Sequence, residues 1–170
     1  HLLPLKNLKT SVSLISLDGT DLDALKTSIG HYGYPAVEDD LKADLVVAVA
    51  GKNLLAGEAV LSFVRRKLPS TSKLMVLILN HPREIQKHLS LLRGDVVLIS
   101  EAQLEDALFY AGQVIYGGSR PSGVLSSDLT IFYREGFGLN LPEPTRLGYA
   151  APYSVGMDGE KLYRKVDSIV

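Results

Sequence analysis

The sequence predicts an α/β fold, a five-stranded parallel sheet doubly wound by helices, followed by a β-rich C-terminal extension. Three observations predict it. Apolar, strand-like runs alternate five times with helix-like stretches at intervals of roughly 20 to 30 residues, the rhythm of parallel strands joined by right-handed helical crossovers. The clearest run, LVVAVA at residues 45–50, is apolar at every position, as a strand covered on both faces requires. Beyond Gly117-Gly118 the composition turns to Gly, Pro and Tyr with little helical periodicity. At 170 residues the chain has room for one core of ordinary size plus an appendage. We therefore expect a sheet domain over residues 11–116 and an extension over 117–170, packed on that domain or on a partner.

Residues 11–17, SVSLISL, read as the first strand, stopped by the turn pair Asp18-Gly19. A helix follows, capped by Thr20 or Asp21, with Leu22, Leu25 and Ile29 at helical spacing until Gly30 and Gly33. Residues 34–37 offer a short second strand, and Pro35, which cannot donate to a ladder, places it at an edge. After the third strand at 45–50, residues 54–68 read as a helix in which Leu54, Ala59, Val60, Phe63 and Val64 share a face. Its basic end, Arg65-Arg66-Lys67, complements the helix dipole. KLMVLIL at 73–79 is a fourth strand, and Pro82 opens a helix over 83–92 carrying Ile85, Leu89 and Leu92. DVVLIS at 95–100 is the fifth strand, and 101–116 a helix with Leu104, Leu108, Ala111 and Ile115 on one stripe. In the extension, residues 128–135, 146–155 and 160–166 read as short strands, the last two joined by a hairpin at Asp158-Gly159.

Composition narrows the function classes. A net charge of −1 with scattered Lys and Arg gives no electrostatic footprint for nucleic acid. The absence of cysteine removes disulfides, thiolate zinc sites and cysteine nucleophiles. The longest apolar runs fall short of the ~20 residues that span a bilayer, so no membrane insertion and a cytoplasmic location are expected. No H-E-x-x-H pair occurs among His1, His31, His81 and His88, and no metal site is expected.

The segment Gly51-Lys52-Asn53, between a strand and a helix, invites a phosphate-binding reading. A Walker loop needs G-x-x-x-x-G-K-[ST]; here one glycine precedes Lys52, and Asn53 stands in the hydroxyl position. The first strand–helix turn, Asp18-Gly19-Thr20, likewise lacks the glycines of a dinucleotide fingerprint, so no cofactor is expected. There is no G-x-S-x-G elbow, and Gly118-Ser119-Arg120-Pro121-Ser122-Gly123 follows a helix instead of a strand.

Five strand–helix units without a glycine fingerprint resemble the flavodoxin-like order 2-1-3-4-5. Over about residues 11–116 the chain also resembles the receiver domains of bacterial response regulators. That resemblance implies acidic residues after strand one, a phosphoacceptor aspartate ending strand three, Ser or Thr ending strand four and lysine ending strand five. Asp18 matches the first position, but strand three ends in Ala50-Gly51, strand four at Asn80 and strand five in Ser100-Glu101. A phosphoryl group needs a carboxylate to accept it and a cation to balance it, so the resemblance is to a degenerate receiver.

Two expectations follow. The first is a non-catalytic protein-interaction or regulatory module whose partner is another protein or a second copy. Its interface would use Tyr133, Arg134, Phe137, Tyr149 and Tyr153, since aromatics beside arginine make interface anchors. The alternative is an enzyme or sensor binding a small phosphorylated or carboxylated ligand over the strand ends. Asp18, Gly51, Lys52, Asn53, Asn80, His81 and Glu101 would surround it.

Overall fold

The computed structural model describes residues 2–33, 35–102, 104–138 and 143–149, together with Asp158, Lys161 and Arg164. Five strands, β1 (Val12–Ser16), β2 (Val37–Glu38), β3 (Leu45–Ala50), β4 (Lys73–Leu79) and β5 (Val96–Ser100), form one sheet in the order β2-β1-β3-β4-β5. Every pairing is parallel, so the molecule has the expected flavodoxin-like, doubly wound arrangement. The helices are α1 (Asp23–Gly30), α2 (Leu54–Lys67), α3 (Pro82–Ile85) and α4 (Leu104–Tyr116), with a 3-10 helix at Leu89–Leu92.

All six residues of β3 are buried, which is why its sequence shows no alternation. Leu45, Val47 and Val49 face one layer, built from α1, α4 and the segment before β1, where Leu25, Ile29, Leu108 and Ile115 pack with Leu3 and Leu5. Val46, Ala48 and Ala50 face the other layer, where Leu54, Leu61 and Val64 of α2 meet Ile85, Leu91 and Leu129. The α1 and α4 helices approach closely where Gly112 lies against Ser28, whose hydroxyl donates to the Phe109 carbonyl at 2.6 Å. A Cβ at Gly112 would sit 2.6 Å from the Ser28 Cβ.

The face of α2 differs from expectation. Leu54, Gly57, Leu61 and Val64 are buried, whereas Ala59, Val60 and Phe63 are exposed. The helix carries apolar residues on two opposite sides, and Gly57, whose Cβ would lie 3.3 Å from that of Ala50, selects the side that fits against β3. The helix expected over 83–92 is split into α3 and the 3-10 helix. Glu58 of α2 accepts hydrogen bonds from Ser90 Oγ at 2.6 Å and His88 Nδ1 at 2.9 Å, and His88 is held at φ −134, outside helical conformation. Tertiary contact overrides local propensity there.

The extension also departs from the strands expected of it. Residues 128–135 run as bends and a turn inside a closed loop. Its ends are tied by Leu125 N donating to Phe137 O and Gly136 N to Leu125 O, both at 2.9 Å. Inside it, Asp128 Oδ1 accepts from Glu135 N at 2.8 Å and Thr130 Oγ1 from Tyr133 N at 3.1 Å, local bonds that compete with a ladder. Residues 146–149 form no strand, and 150–155 lie outside the described residues. Of 160–166 only Lys161 and Arg164 are described, and both are helical. Among the described residues no helix is long and apolar enough to cross a membrane.

Overpacking the α1–α4 contact tests this packing. Gly112→Ala is expected to cost about 1–3 kcal/mol, read as a lowered thermal midpoint. Gly123→Ala, whose Cβ meets nothing within 4 Å, should leave the midpoint unchanged.

Candidate functional site

The seven residues named for a ligand lie at the carboxyl ends of the strands, in two hydrogen-bonded groups. The first is centred on Asp18. After β1 the chain turns through Gly19, whose φ of +78 lies in the left-handed region that favours glycine. The turn aims the Asp18 carboxylate at the neighbouring β3–α2 connection. Oδ2 accepts from the backbone N–H groups of Gly51, Lys52 and Asn53 at 2.8, 2.6 and 2.6 Å. Oδ1 accepts from Thr20 Oγ1 at 2.6 Å and Thr20 N at 3.2 Å. Asn53 caps α2, its Oδ1 accepting from Ala56 N at 3.1 Å.

Three converging amides at the start of a helix are the ordinary setting for a phosphate. Here the anion is supplied by the chain itself. Burial works to raise the Asp18 pKa, but hydrogen bonds from Thr20 and from the backbone of Asn53, Gly51 and Lys52 outweigh it and hold the carboxyl below its ordinary range. The surroundings are closed as well: a Cβ at Gly51 would meet Thr20 Oγ1 at 3.1 Å and Leu104 and Leu79 at 3.5 Å. Lys52, one of the residues that the ligand-binding alternative places around its ligand, donates through Nζ to the Gly19 carbonyl at 3.3 Å.

The second group lies beyond β4 and β5. Asn80 Oδ1 accepts from His81 N at 2.9 Å, a bond that shapes the turn. His81 Nδ1 accepts from Arg83 N at 3.1 Å, so the neutral imidazole carries its proton on Nε2. That nitrogen lies 3.4 Å from Ser126 Oγ and 3.6 Å from Glu101 Oε2. Ser126 Oγ in turn donates to Glu101 Oε1 at 2.6 Å. Serine, histidine and a carboxylate thus meet, but not in hydrolytic roles. In a triad the imidazole nitrogen facing serine accepts its proton and the carboxylate holds the opposite nitrogen. Here the facing nitrogen is already protonated and the serine proton is directed to Glu101.

A cavity of about 270 Å³ opens beside the ends of β1 and β2, where Ser16, Thr20, Asp21, Asp23, Glu38 and Asp39 line it. Lys26 pairs with both Glu38 and Asp23 at its wall. Among the described residues no group of three or more His, Cys, Asp or Glu could hold a metal ion.

The expected interface residues divide. Tyr133 and Phe137 pack edge to face at 5.1 Å on the 125–137 loop, and Arg134 Nε reaches the Ile131 carbonyl at 3.5 Å. Tyr149 is stapled to the sheet domain instead: its ring stacks on His31 at 4.4 Å, and its backbone exchanges two hydrogen bonds with the buried Gln113 amide. Tyr153 lies outside the described residues. Thr20 and Ser126 join the site without having been expected there. The Asp18-Gly19-Thr20 spacing of an Asx turn signals the first; nothing local signals Ser126, which a long loop carries to Glu101.

Compared with protein-family models, curated proteins and solved structures, the chain matches none.

Asp18→Asn tests the plug. Weakening a charged acceptor shared by three amides should cost about 1–3 kcal/mol in urea unfolding at pH 7. Because the folded pKa lies below the ordinary 3.8, the stability the carboxylate adds is fully present above that value and is lost as pH falls through the folded pKa. The gap between wild type and Asp18→Asn should therefore close on acidification below pH 3.8. A gap unchanged from pH 7 to pH 2 would refute the assignment.

Proposed function

We propose that this chain is a non-catalytic protein-interaction module on a degenerate receiver-like sheet. The observation that carries the proposal is the occupation of the Gly51-Lys52-Asn53 amides by Asp18. In a doubly wound sheet the crevice beyond the strand ends is where ligands bind, and at β1 and β3 this chain fills it with its own carboxylate. The one acidic residue that matches the receiver pattern after β1 is thereby removed from phosphoryl or magnesium chemistry.

A second feature supports interaction. The 125–137 loop presents Ile131 and Phe132, 75% and 78% exposed, beside the Tyr133–Phe137 pair. Large apolar side chains carried together on a closed loop have the character of a docking knob. The loop is anchored from beneath by Leu129, 4% exposed in the α2 layer, and by Gln86 Nε2 donating to the Asp128 carbonyl. The same reading places the module in the cytoplasm and gives it a protein partner.

The reading in which a small ligand is bound or turned over keeps one specific support, the exposed His81–Glu101–Ser126 group. Its polar atoms suit hydrogen bonding to a hydroxylated or carboxylated compound.

Thermal melts separate the two readings. Inorganic phosphate, acetyl phosphate with magnesium, ATP and NADH should each leave the midpoint unchanged. A ligand at about 100 times its dissociation constant would add roughly 2.7 kcal/mol, several degrees for a domain of this size. A rise abolished by Lys52→Ala, or by His81→Ala, would overturn the proposal and locate a ligand site in the first or second group.

A further inference from the structure

The outer face of α2 is apolar where a solvated helix should be polar. At about 100° per residue, Leu55, Ala56, Ala59, Val60 and Phe63 fill an arc of about 140°. That arc lies opposite the buried arc of Leu54, Gly57, Leu61 and Val64. All five are exposed, Leu55 by 68% and Phe63 by 52%. No part of the described chain covers them. The stripe runs about 12 Å along the helix, and Arg66 and Lys67 continue the same arc at its C-terminal end.

Charge at that end is concentrated and unbalanced. Arg65, Arg66 and Lys67 form no ion pair among the described residues, and the one acidic residue of α2, Glu58, is held by Ser90 and His88. Arg65 points to the flank away from the stripe, where it lines a cavity of about 560 Å³ with Arg93, Lys73 and Asp95. Lys73 is paired there with Asp95 at 3.9 Å, while Arg93 forms no ion pair among the described residues.

We infer that the outer face of α2 docks an amphipathic helix of a partner protein, antiparallel to α2, with an apolar stripe on Leu55–Phe63 and acidic residues in its first turn. The inference rests on the interaction-module reading and names a face and a partner chemistry for it. An antiparallel helix brings its N-terminal turn to the Arg65, Arg66 and Lys67 end. Acidic residues are favoured in a first turn, and Arg66 and Lys67, on the arc of the stripe itself, stand where that turn would lie.

A second copy of α2 does not fit. Antiparallel pairing would set Arg66 and Lys67 beside Lys52 of the other copy, with no carboxylate on the outer arc to meet them, and parallel pairing would set the two basic ends together. A bilayer surface fits less well, because interfacial helices carry their cations along the polar face, whereas these gather at one end.

The test uses fluorescein-labelled 18-residue helical peptides with leucines at i, i+4, i+7 and i+11, one with glutamates in its first turn and one with lysines there. Fluorescence anisotropy should show the acidic peptide binding the whole chain, and the lysine peptide at least about tenfold more weakly. Phe63→Asp, Leu55→Lys and Arg66→Glu should each weaken the acidic peptide about tenfold or more with unchanged circular-dichroism melts. Raising salt should weaken it as well.

Equal binding of the two peptides, no binding of either, or binding indifferent to all three substitutions would overturn the inference. So would a dimer in sedimentation lost on Phe63→Asp, which assigns the face to a second copy. Adsorption to phosphatidylserine vesicles lost on the same substitution would overturn it in favour of a membrane. These results leave the interaction-module reading standing, since that reading fails only through a small-ligand shift in the thermal melts.

Discussion

The carboxylate of Asp18 holds three backbone amides at the point where β3 becomes α2, and much of the fold's upper edge depends on that contact. It joins the first crossover to the second across the sheet, so that the loop after β1 and the start of α2 are set by one side chain. It also satisfies the Asn53 N–H, a donor that helix geometry leaves without a partner, and places negative charge at the positive end of the longest helix described. Once α2 is fixed at that end, Gly57 can lie on Ala50, and Leu61 and Val64 can reach the core. The proposed function rests on the same contact. A slot built of converging amides is chemically suited to a phosphate, and here the Asp18 carboxylate fills it.

With the slot between β1 and β3 filled, the polar group beyond β4 and β5 and the outer surfaces remain. Two apolar features stand out on the side of the sheet occupied by α2: the exposed stripe of that helix and the tip of the 125–137 loop. Both rest on rigid supports, the stripe on a helix buried along its other face and the loop on Leu129 and its paired ends. Rigid apolar surfaces lose little conformational entropy on docking. In the opposite layer α1, α4, the segment before β1 and Tyr149 pack together.

The sheet was legible because β1, β3 and β4 are buried on both faces, and a continuous apolar run such as LVVAVA suits a strand in that position better than any half-exposed element. The order of the strands, expected from the resemblance to flavodoxin-like sheets, was matched. The orientation of α2 was not legible, because a helix apolar on two sides offers two equally good stripes and periodicity alone cannot choose between them. The split near His88 has no local signal, because its cause, Glu58, lies 30 residues earlier. In the extension, residues such as Thr130, Ile131, Phe132 and Tyr133 have strand propensity without a strand beside them to pair with. At the candidate site the positions were legible and their roles were not: Asp18, Gly51, Lys52 and Asn53 do converge, but as one closed internal contact.

The most direct test of the closed contact is a pH titration of the backbone amides of Gly51, Lys52 and Asn53 by NMR. The account predicts that all three move together with a single midpoint below the ordinary aspartate value of 3.8, and that phosphate added at neutral pH leaves them in place. Amides that do not titrate with Asp18, or that shift on adding phosphate at neutral pH, would contradict it.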